Sequence, residues 1–200
     1  MLAPNQQNSK ARGSLFIVSG PSGVGKGTLV AAALKALPNL ALSVSATTRP
    51  PRPGDVEGVD YYFKTEEEFD QLIQNGGFVE WAEVHGRRYG TLTSEVNKAL
   101  GEGKDLILEI DPQGFMQVKS HMSEVVSIFI APPSLEELKR RLKQRGTEDD
   151  QSISQRLKTA EIEIQAKDSY NVVIINDDLE KALQELVSLI TQKGNIQATT

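Results

Sequence analysis

The segment Gly20-Pro21-Ser22-Gly23-Val24-Gly25-Lys26-Gly27-Thr28 constrains the fold of this chain more than any other. It follows a compact apolar run with β-branched members, residues 15–18, and precedes an alanine- and leucine-rich stretch, residues 29–37, that reads as helix. Strand, glycine loop and helix in that order form a phosphate cradle. Consecutive backbone N–H groups must turn inward around polyphosphate oxygens, a conformation glycine tolerates, and Gly20, Gly23, Gly25 and Gly27 are expected to supply that freedom. Lys26 adds a point charge for β- and γ-phosphates, and the helix opening near it aims its positive dipole end at the same place. A glycine-rich β-to-α turn with a chance lysine is the bland alternative, opposed by the agreement of loop, lysine and both flanks. One departure stands out. The usual pattern has Ser or Thr directly after the lysine to ligate Mg²⁺, whereas here Gly27 holds that place. Thr28, one step later, is left either to bind a phosphate or to hold the metal through water.

Two hundred residues suit one domain with a substantial core, since chains of this size bury roughly 70% of their unfolded surface. The absence of cysteine excludes a disulfide scaffold and a thiolate metal site and agrees with a reducing compartment. No apolar run approaches a membrane span, and residues 1–12 lack a signal-peptide core, so a soluble cytoplasmic protein with a disordered leading tail is expected. A formal charge of −5 argues against general affinity for nucleic acid, which leaves the arginines to be judged by local clustering.

Alternation of short apolar runs with helical patterns predicts an α/β fold whose parallel sheet is sandwiched by helices. Strands are expected at residues 15–19, 106–110, 125–131 and 172–175. Ser134 and Glu137 form a capping-box pattern opening a helix toward Arg145, and further helices are expected at 152–166 and 179–192, the last with Leu179, Leu183, Leu186 and Ile190 on one face. Two interruptions divide the core, at 43–93 and about 138–167. The first is rich in proline, glycine and aromatics and reads as a small mixed-sheet module with a helix capped by Thr65 and Glu68; the second is charged and helical.

The first interruption holds a second informative stretch, from Thr47-Thr48-Arg49-Pro50-Pro51-Arg52 through Asp55 to Tyr61-Tyr62-Phe63. Proline keeps this segment out of helix, so Arg49 and Arg52 can converge on one anion from a stiff loop, with a tyrosine hydroxyl as a further donor. Solvated arginines on a surface loop are the alternative. Leu106-Ile107-Leu108-Glu109-Ile110-Asp111 is an apolar strand ending in carboxylates, which can orient magnesium directly or through water. Strand alternation puts Glu109 and Asp111 on one side. His85 and His121 have no carboxylate or cysteine at ligand spacing and receive no role.

With its phosphate loop, the Thr-Thr-Arg and later Arg, the acid, the glycine and Tyr-Tyr-Phe in register, the chain resembles guanylate kinase from Gly13 to its last helix. The resemblance implies a P-loop nucleoside monophosphate kinase fold. Its core would comprise residues 13–42, 94–137 and 168–195, with a GMP-binding module at 43–93, a helical lid at 138–167, and tails at 1–12 and 196–200. It implies an enzyme that transfers the γ-phosphate of ATP to GMP with Mg²⁺, acting as monomer or homodimer with neither nucleic acid nor membrane as partner. Ser45, Arg49, Arg52, Tyr61, Glu80, Tyr89, Thr91 and Asp111 occupy the GMP-binding places, and Arg49, Arg52, Tyr61 and Tyr89 would hold the acceptor phosphate. Residues 20–28 would hold ATP. Lys26, Arg49, Arg141, Arg145 and Arg156 would be catalytic, while Arg140 reads as a solvated helix residue. Asn176 falls where the family contacts adenine; capping the last helix is the competing reading. Thr28 and Glu109 are the metal candidates, and the division of roles between Glu109 and Asp111 stays open.

A physical argument supports Glu80 as the base reader. Guanine offers two donors on one edge, N1–H and the amino group, and an ionised carboxylate accepts both in parallel. Adenine presents an unprotonated N1 there, and such sites reject analogues by roughly 10⁴-fold or more. A solvated strand carboxylate is the alternative. Among rival functions, a kinase for another monophosphate is suggested by the Gly-Lys-Gly-Thr ending, which also resembles adenylate kinase, and a protein-binding scaffold domain of the same family is opposed by the intact glycine-lysine loop.

Overall fold

The computed structural model describes residues 12–84, 86–144 and 150–192. In chain order the elements begin with β1 (Leu15–Ser19), α1 (Lys26–Ala36), β2 (Leu40–Leu42), β3 (Ser45–Thr47) and β4 (Tyr62–Phe63). Next come α2 (Glu66–Gln74), β5 (Phe78–Val84), β6 (Arg87–Leu92), α3 (Thr93–Gly101) and β7 (Asp105–Glu109). The remainder is α4 (Pro112–His121), β8 (Val125–Ala131), α5 (Leu135–Gln144), α6 (Asp150–Gln165), a short 3₁₀ turn (Ala166–Ser169), β9 (Val172–Ile175) and α7 (Leu179–Thr191).

A five-stranded parallel sheet in the order β2-β7-β1-β8-β9 forms the body, with β1 at its centre. Each residue of β1 is buried because helices cover both faces, which explains its unbroken apolar run. Alternation sorts the side chains: Phe16, Val18, Ile107, Ile128 and Ile130 join the cluster packed with α1, α5, α6 and α7, while Leu15, Ile17, Leu106, Leu108 and Phe129 join the cluster of α3 and α4. The four expected strands are present, and β2 adds a three-residue edge too short to give a pattern.

A second sheet of four strands, β4-β3-β6-β5, lies within residues 43–93 and has its own small core of Ala46, Phe69 and Leu92. Its helix α2 starts as the sequence predicts: Thr65 Oγ1 accepts from the Glu68 amide at 3.1 Å and Glu68 returns to the Thr65 amide at 2.8 Å.

The charged interruption folds as the end of α5 and all of α6, so the boundary expected at 138 falls inside α5. Ser134 Oγ accepts from the Glu137 amide at 3.1 Å, while the Glu137 carboxylate pairs with Arg140 and Arg141. In α7, Leu186 and Ile190 are buried, but Leu179, in the first turn, is exposed and the buried stripe starts at Ala182. No helix of the described residues is long and apolar enough to cross a membrane. Residues 1–11 and 193–200, which include both expected tails apart from Arg12, lie outside the described residues, as do Arg145 and His85.

Candidate active site

Where β1 and β7 end, a cleft of about 500 Å³ opens, at the carboxyl edge of a parallel sheet beside a change in strand order. It is lined by Gly20, Ser22 and Lys26 of the glycine loop, by Ser45, Asp60 and Tyr61 of the four-stranded module, by Glu109, Ile110 and Asp111 after β7, and by Glu163 of α6.

The loop has the conformation its glycines permit. Gly20, Gly23 and Gly25 have φ of 142°, 86° and 100°, and α1 begins directly after Gly25. Gly27 differs from expectation: it lies within α1 and contributes no positive φ, because the helix has already started. At Gly25 a side chain is excluded twice, by φ and by Asn176, whose Nδ2 would lie 2.6 Å from an added Cβ. Asn176 is 4% exposed and donates Nδ2 to the Val24 carbonyl at 2.7 Å, bracing the loop from β9. The cap of α7 is Asp178, which accepts from the Lys181 amide at 2.9 Å, so that part of the capping alternative goes to the neighbour. Lys26 Nζ donates across the loop to the Gly20 carbonyl and, at 3.2 Å, to the Pro21 carbonyl.

Arginines of α5 and α6 reach the same loop. Arg156 Nη1 donates to Ser22 Oγ at 2.8 Å, and Arg141 Nη1 approaches the Val24 carbonyl at 3.4 Å while its Nε donates to Glu137 at 2.8 Å. Arg140 is exposed and spends two donors on Glu137, at 2.6 and 2.7 Å. Between these guanidinium groups the Glu137 carboxyl is held down at about 2.

In the module, register brings distant residues into one row. Ser45 on β3 pairs with Thr91 on β6, which pairs with Glu80 on β5. A bulge between Phe78 and Glu80 interrupts the alternation, so Val79 and Glu80 are both buried and the carboxylate is turned inward. Glu80 is 7% exposed and accepts from Thr91 Oγ1 at 2.6 Å. Burial raises its pKa above the ordinary carboxylate range and the Asp111 charge adds to that, against the opposing Thr91 hydrogen bond.

The expected anion-binding arginines stand on one loop and line one cavity. Arg49 lies over the rings of Tyr61 and Phe63, 5.0 and 5.7 Å from their centroids, and pairs with Asp55 at 2.8 Å. The same Asp55 oxygen accepts from the Arg52 amide at 2.8 Å. Arg49, Arg52 and Tyr89 line a second cavity, also about 500 Å³, and the Tyr89 ring meets Tyr61 edge-on at 5.9 Å, next to the main cleft.

Asp111 follows β7 instead of belonging to it. It caps α4, accepting from the Gly114 amide at 2.8 Å, so its direction toward the cleft comes from the cap and not from strand alternation. Glu109 is partly exposed in the open cleft, yet the surrounding protein raises its pKa, with Lys26 pulling the other way. Thr28 is exposed in the first turn of α1.

The guanylate kinase family profile matches residues 12–193. The chain belongs to the guanylate kinase family. It is 50% identical over 179 residues to the guanylate kinase of Synechococcus sp. strain JA-3-3Ab, covering 90% of this chain and 82% of that one. To the guanylate kinase of Thermotoga maritima it is 45% identical over 179 residues, 90% of this chain and 86% of the relative. The crystal structure of guanylate kinase from Anaplasma phagocytophilum superposes with a TM-score of 0.72 at 37% identity, over 96% of this chain and 89% of that one. Shikimate kinase from Bacteroides thetaiotaomicron, at 15% identity and a TM-score of 0.50 over 89% of this chain and 98% of that one, shares the fold alone.

Against that family frame, sequence reasoning passed over Glu163 and Asp60, which both line the cleft. Glu163 is half-buried; burial raises its pKa, Lys26 lowers it and Asp111 raises it. No motif marks it, but it stands seven residues after Arg156, two turns along one face of α6.

Proposed function

We propose that in this ATP:GMP phosphotransferase the glycine loop is the donor site of the cleft and the Ser45–Thr91–Glu80 row is its guanine site. The guanylate kinase relationship supports the reaction, and the single observation carrying the division of roles is that the loop with Lys26 and the module residues Ser45 and Tyr61 line one cleft.

Phosphoryl transfer needs alignment and charge stabilisation more than covalent chemistry. The backbone amides of residues 22–28 hold the donor phosphates, Pro21 having no N–H to give, and Lys26 leaves the Gly20 and Pro21 carbonyls for them. Arg49, Arg52, Tyr61 and Tyr89 hold the acceptor phosphate; the stacking of Arg49 on Tyr61 fixes its plane. Arg141 and Arg156, already at the loop, meet charge on the moving group, and Arg145 joins them from outside the described residues. Residues 138–167 act as a lid that excludes water. Glu80 accepts the guanine N1–H and amino donors in its ionised state, Ser45, Thr91 and Asp111 complete the edge, and Asn176 serves the adenine side by keeping the loop in shape.

The residues fit a magnesium ion arriving with ATP. Oxygens of Glu109 lie 3.9 and 4.0 Å from where a Cβ would stand on Gly27, so the missing hydroxyl leaves room beside a carboxylate. Among the described residues no three His, Cys, Asp or Glu gather as a metal site, which suits a cation that takes one or two carboxylates and fills its shell with phosphates and water. Glu109 and Thr28 would hold it, Thr28 through water, and the ion would neutralise phosphate charge. We place the reaction in the cytoplasm, in keeping with a chain without cysteine.

A coupled assay offering ATP with GMP, AMP, UMP and CMP in turn tests the reading. Turnover should be confined to GMP; comparable turnover of AMP would remove Glu80 from the role of base reader.

A further inference from the structure

One stripe of α4 grips the strand that carries Glu80. β5 is the outer strand of its sheet, so peptide groups on its free side have no strand partner. Gln117 takes the place of one: its Oε1 accepts from the Trp81 amide at 3.2 Å and its Nε2 donates to the Trp81 carbonyl at 2.8 Å, a paired bond of the kind a neighbouring strand would make. One turn further, His121 Nε2 lies 3.0 Å from the Val79 carbonyl, which requires the ring proton on Nε2. One turn back, Gly114 lets the helix approach so closely that an added Cβ would stand 2.8 Å from Glu80 Oε2. Positions 114, 117 and 121, spaced by three and four, share one helix face, and α4 opens at Asp111. The residues on either side of the buried carboxylate are thus clamped by the helix whose cap is Asp111, a carboxylate that lines the cleft.

We propose that Gln117 is a positioning residue for guanine selection, holding the Trp81 peptide so that the bulged strand keeps Glu80 at a fixed distance from Asp111. This deepens, and rests on, the reading of Glu80 as the base-reading carboxylate. A bulge is a soft point in a strand, since the extra residue is left out of the ladder; the helix clamp on both sides of Glu80 removes that softness. Holding a carboxylate to within about half an ångström is what a site needs to tell the guanine amino group from its absence.

The test compares Gln117→Leu, which keeps size and loses both hydrogen bonds, with Gln117→Glu, which can still accept from the Trp81 amide but no longer donates. Steady-state constants are measured with GMP and with IMP, which lacks the amino group. In Gln117→Leu the KM for GMP should rise roughly tenfold and the GMP-over-IMP preference in kcat/KM should fall by about the same factor. The KM for ATP should stay as in the parent, with kcat at saturating GMP within about threefold, and Gln117→Glu should lie between. A merely structural residue would raise both nucleotide constants together and leave the preference intact, and that result would overturn the inference. Gly114→Ala supplies a second route should Gln117→Leu fold poorly: alanine suits a helix better than glycine, while its methyl displaces Glu80, so preference should fall with thermal stability kept. Unchanged preference in Gly114→Ala counts against the inference. Glu80→Gln separates the two levels. Preference lost there but intact in a folded Gln117→Leu overturns the clamp alone; preference intact in Glu80→Gln overturns the base-reading assignment and the clamp with it.

Discussion

The donor loop and the acceptor module meet in one cleft but are built on opposite plans. The loop is a continuous backbone feature seated on the largest core: Val24 and Leu29 are fully buried, and Asn176, Arg141 of α5 and Arg156 of α6 brace it from outside. The module has a core of three buried side chains and relies on polar ties. Arg88 sits over the Phe69 ring at 4.8 Å and pairs with both Glu66 and Asp70, Asp55 ties Arg49 to the proline loop, and Gln117 holds the outer strand. A region with few buried apolar contacts opens at lower free energy than one anchored in the main core. The comparison teaches that the donor half is the more firmly anchored and the acceptor half the more adjustable, so damage to the first should appear in kcat or in the KM for ATP and damage to the second in the KM for GMP.

The sharpest way to break this contrast is at its charged centres. Lys26→Ala should lower kcat roughly 10²- to 10³-fold, the range seen when one preorganised charge donor is lost, with GMP binding by calorimetry preserved. Normal turnover would dissolve the donor assignment. Glu80→Gln should raise the KM for GMP about 10- to 100-fold, the worth of a hydrogen bond to a charged group, and leave ATP alone; equal losses for both nucleotides would make Glu80 structural.

The pH dependence of Glu80 adds a second handle. Because burial raises its folded pKa, GMP affinity should weaken as pH falls through that value, beginning at a higher pH than for an exposed glutamate. The contribution of the same group to the stability of the ligand-free fold has the opposite sign. The folded state holds this proton more tightly than the unfolded chain, so that contribution is present below the unfolded pKa and lost as pH rises through the folded one. Titration calorimetry across pH on the parent and on Glu80→Gln should show the acid-side loss only in the parent.

How legible each half was follows from the same contrast. A contiguous loop between a buried strand and a helix announces itself, and even there Gly27 was misjudged because the helix begins one residue earlier than its conformational role required. The four main strands were readable because burial on both faces makes them unbroken apolar runs, whereas β2 is too short to show a period. In the module the individual residues could be named, but the Ser45–Thr91–Glu80 row could not be derived, since it depends on two strand registers and a bulge. Helix α4 carried an Asp-Pro start and still passed unnoticed, and with it the Gln117 contact to Trp81. Glu163 lies in a charged helix where one more glutamate has no local mark.

A milder perturbation probes the rigidity of the loop. Gly25→Ala forces an L side chain to φ 100° and against Asn176 Nδ2, at a cost of about 1–3 kcal/mol in backbone strain. The loop should respond with a KM for ATP raised roughly tenfold and the KM for GMP unchanged; a parallel shift in both would show that the halves are not independent.

The smallest effect separates two neighbours that share a carboxylate. Arg140 and Arg141 both pair with Glu137, but only Arg141 extends to the glycine loop, while Arg140 is exposed and ends at that ion pair. Exposed ion pairs contribute little, so Arg140→Ala should leave kcat and both KM values within about twofold of the parent. Glu137 then keeps Arg141 as its partner, whose hydrogen bond and charge still lower its pKa. Steady-state kinetics of the single variants Arg140→Ala and Arg141→Ala decide the matter. A tenfold or larger fall in kcat for Arg140→Ala would mean that the ion pair orients Arg141, and the boundary between the catalytic guanidinium and its solvated neighbour would have to be moved outward by one residue.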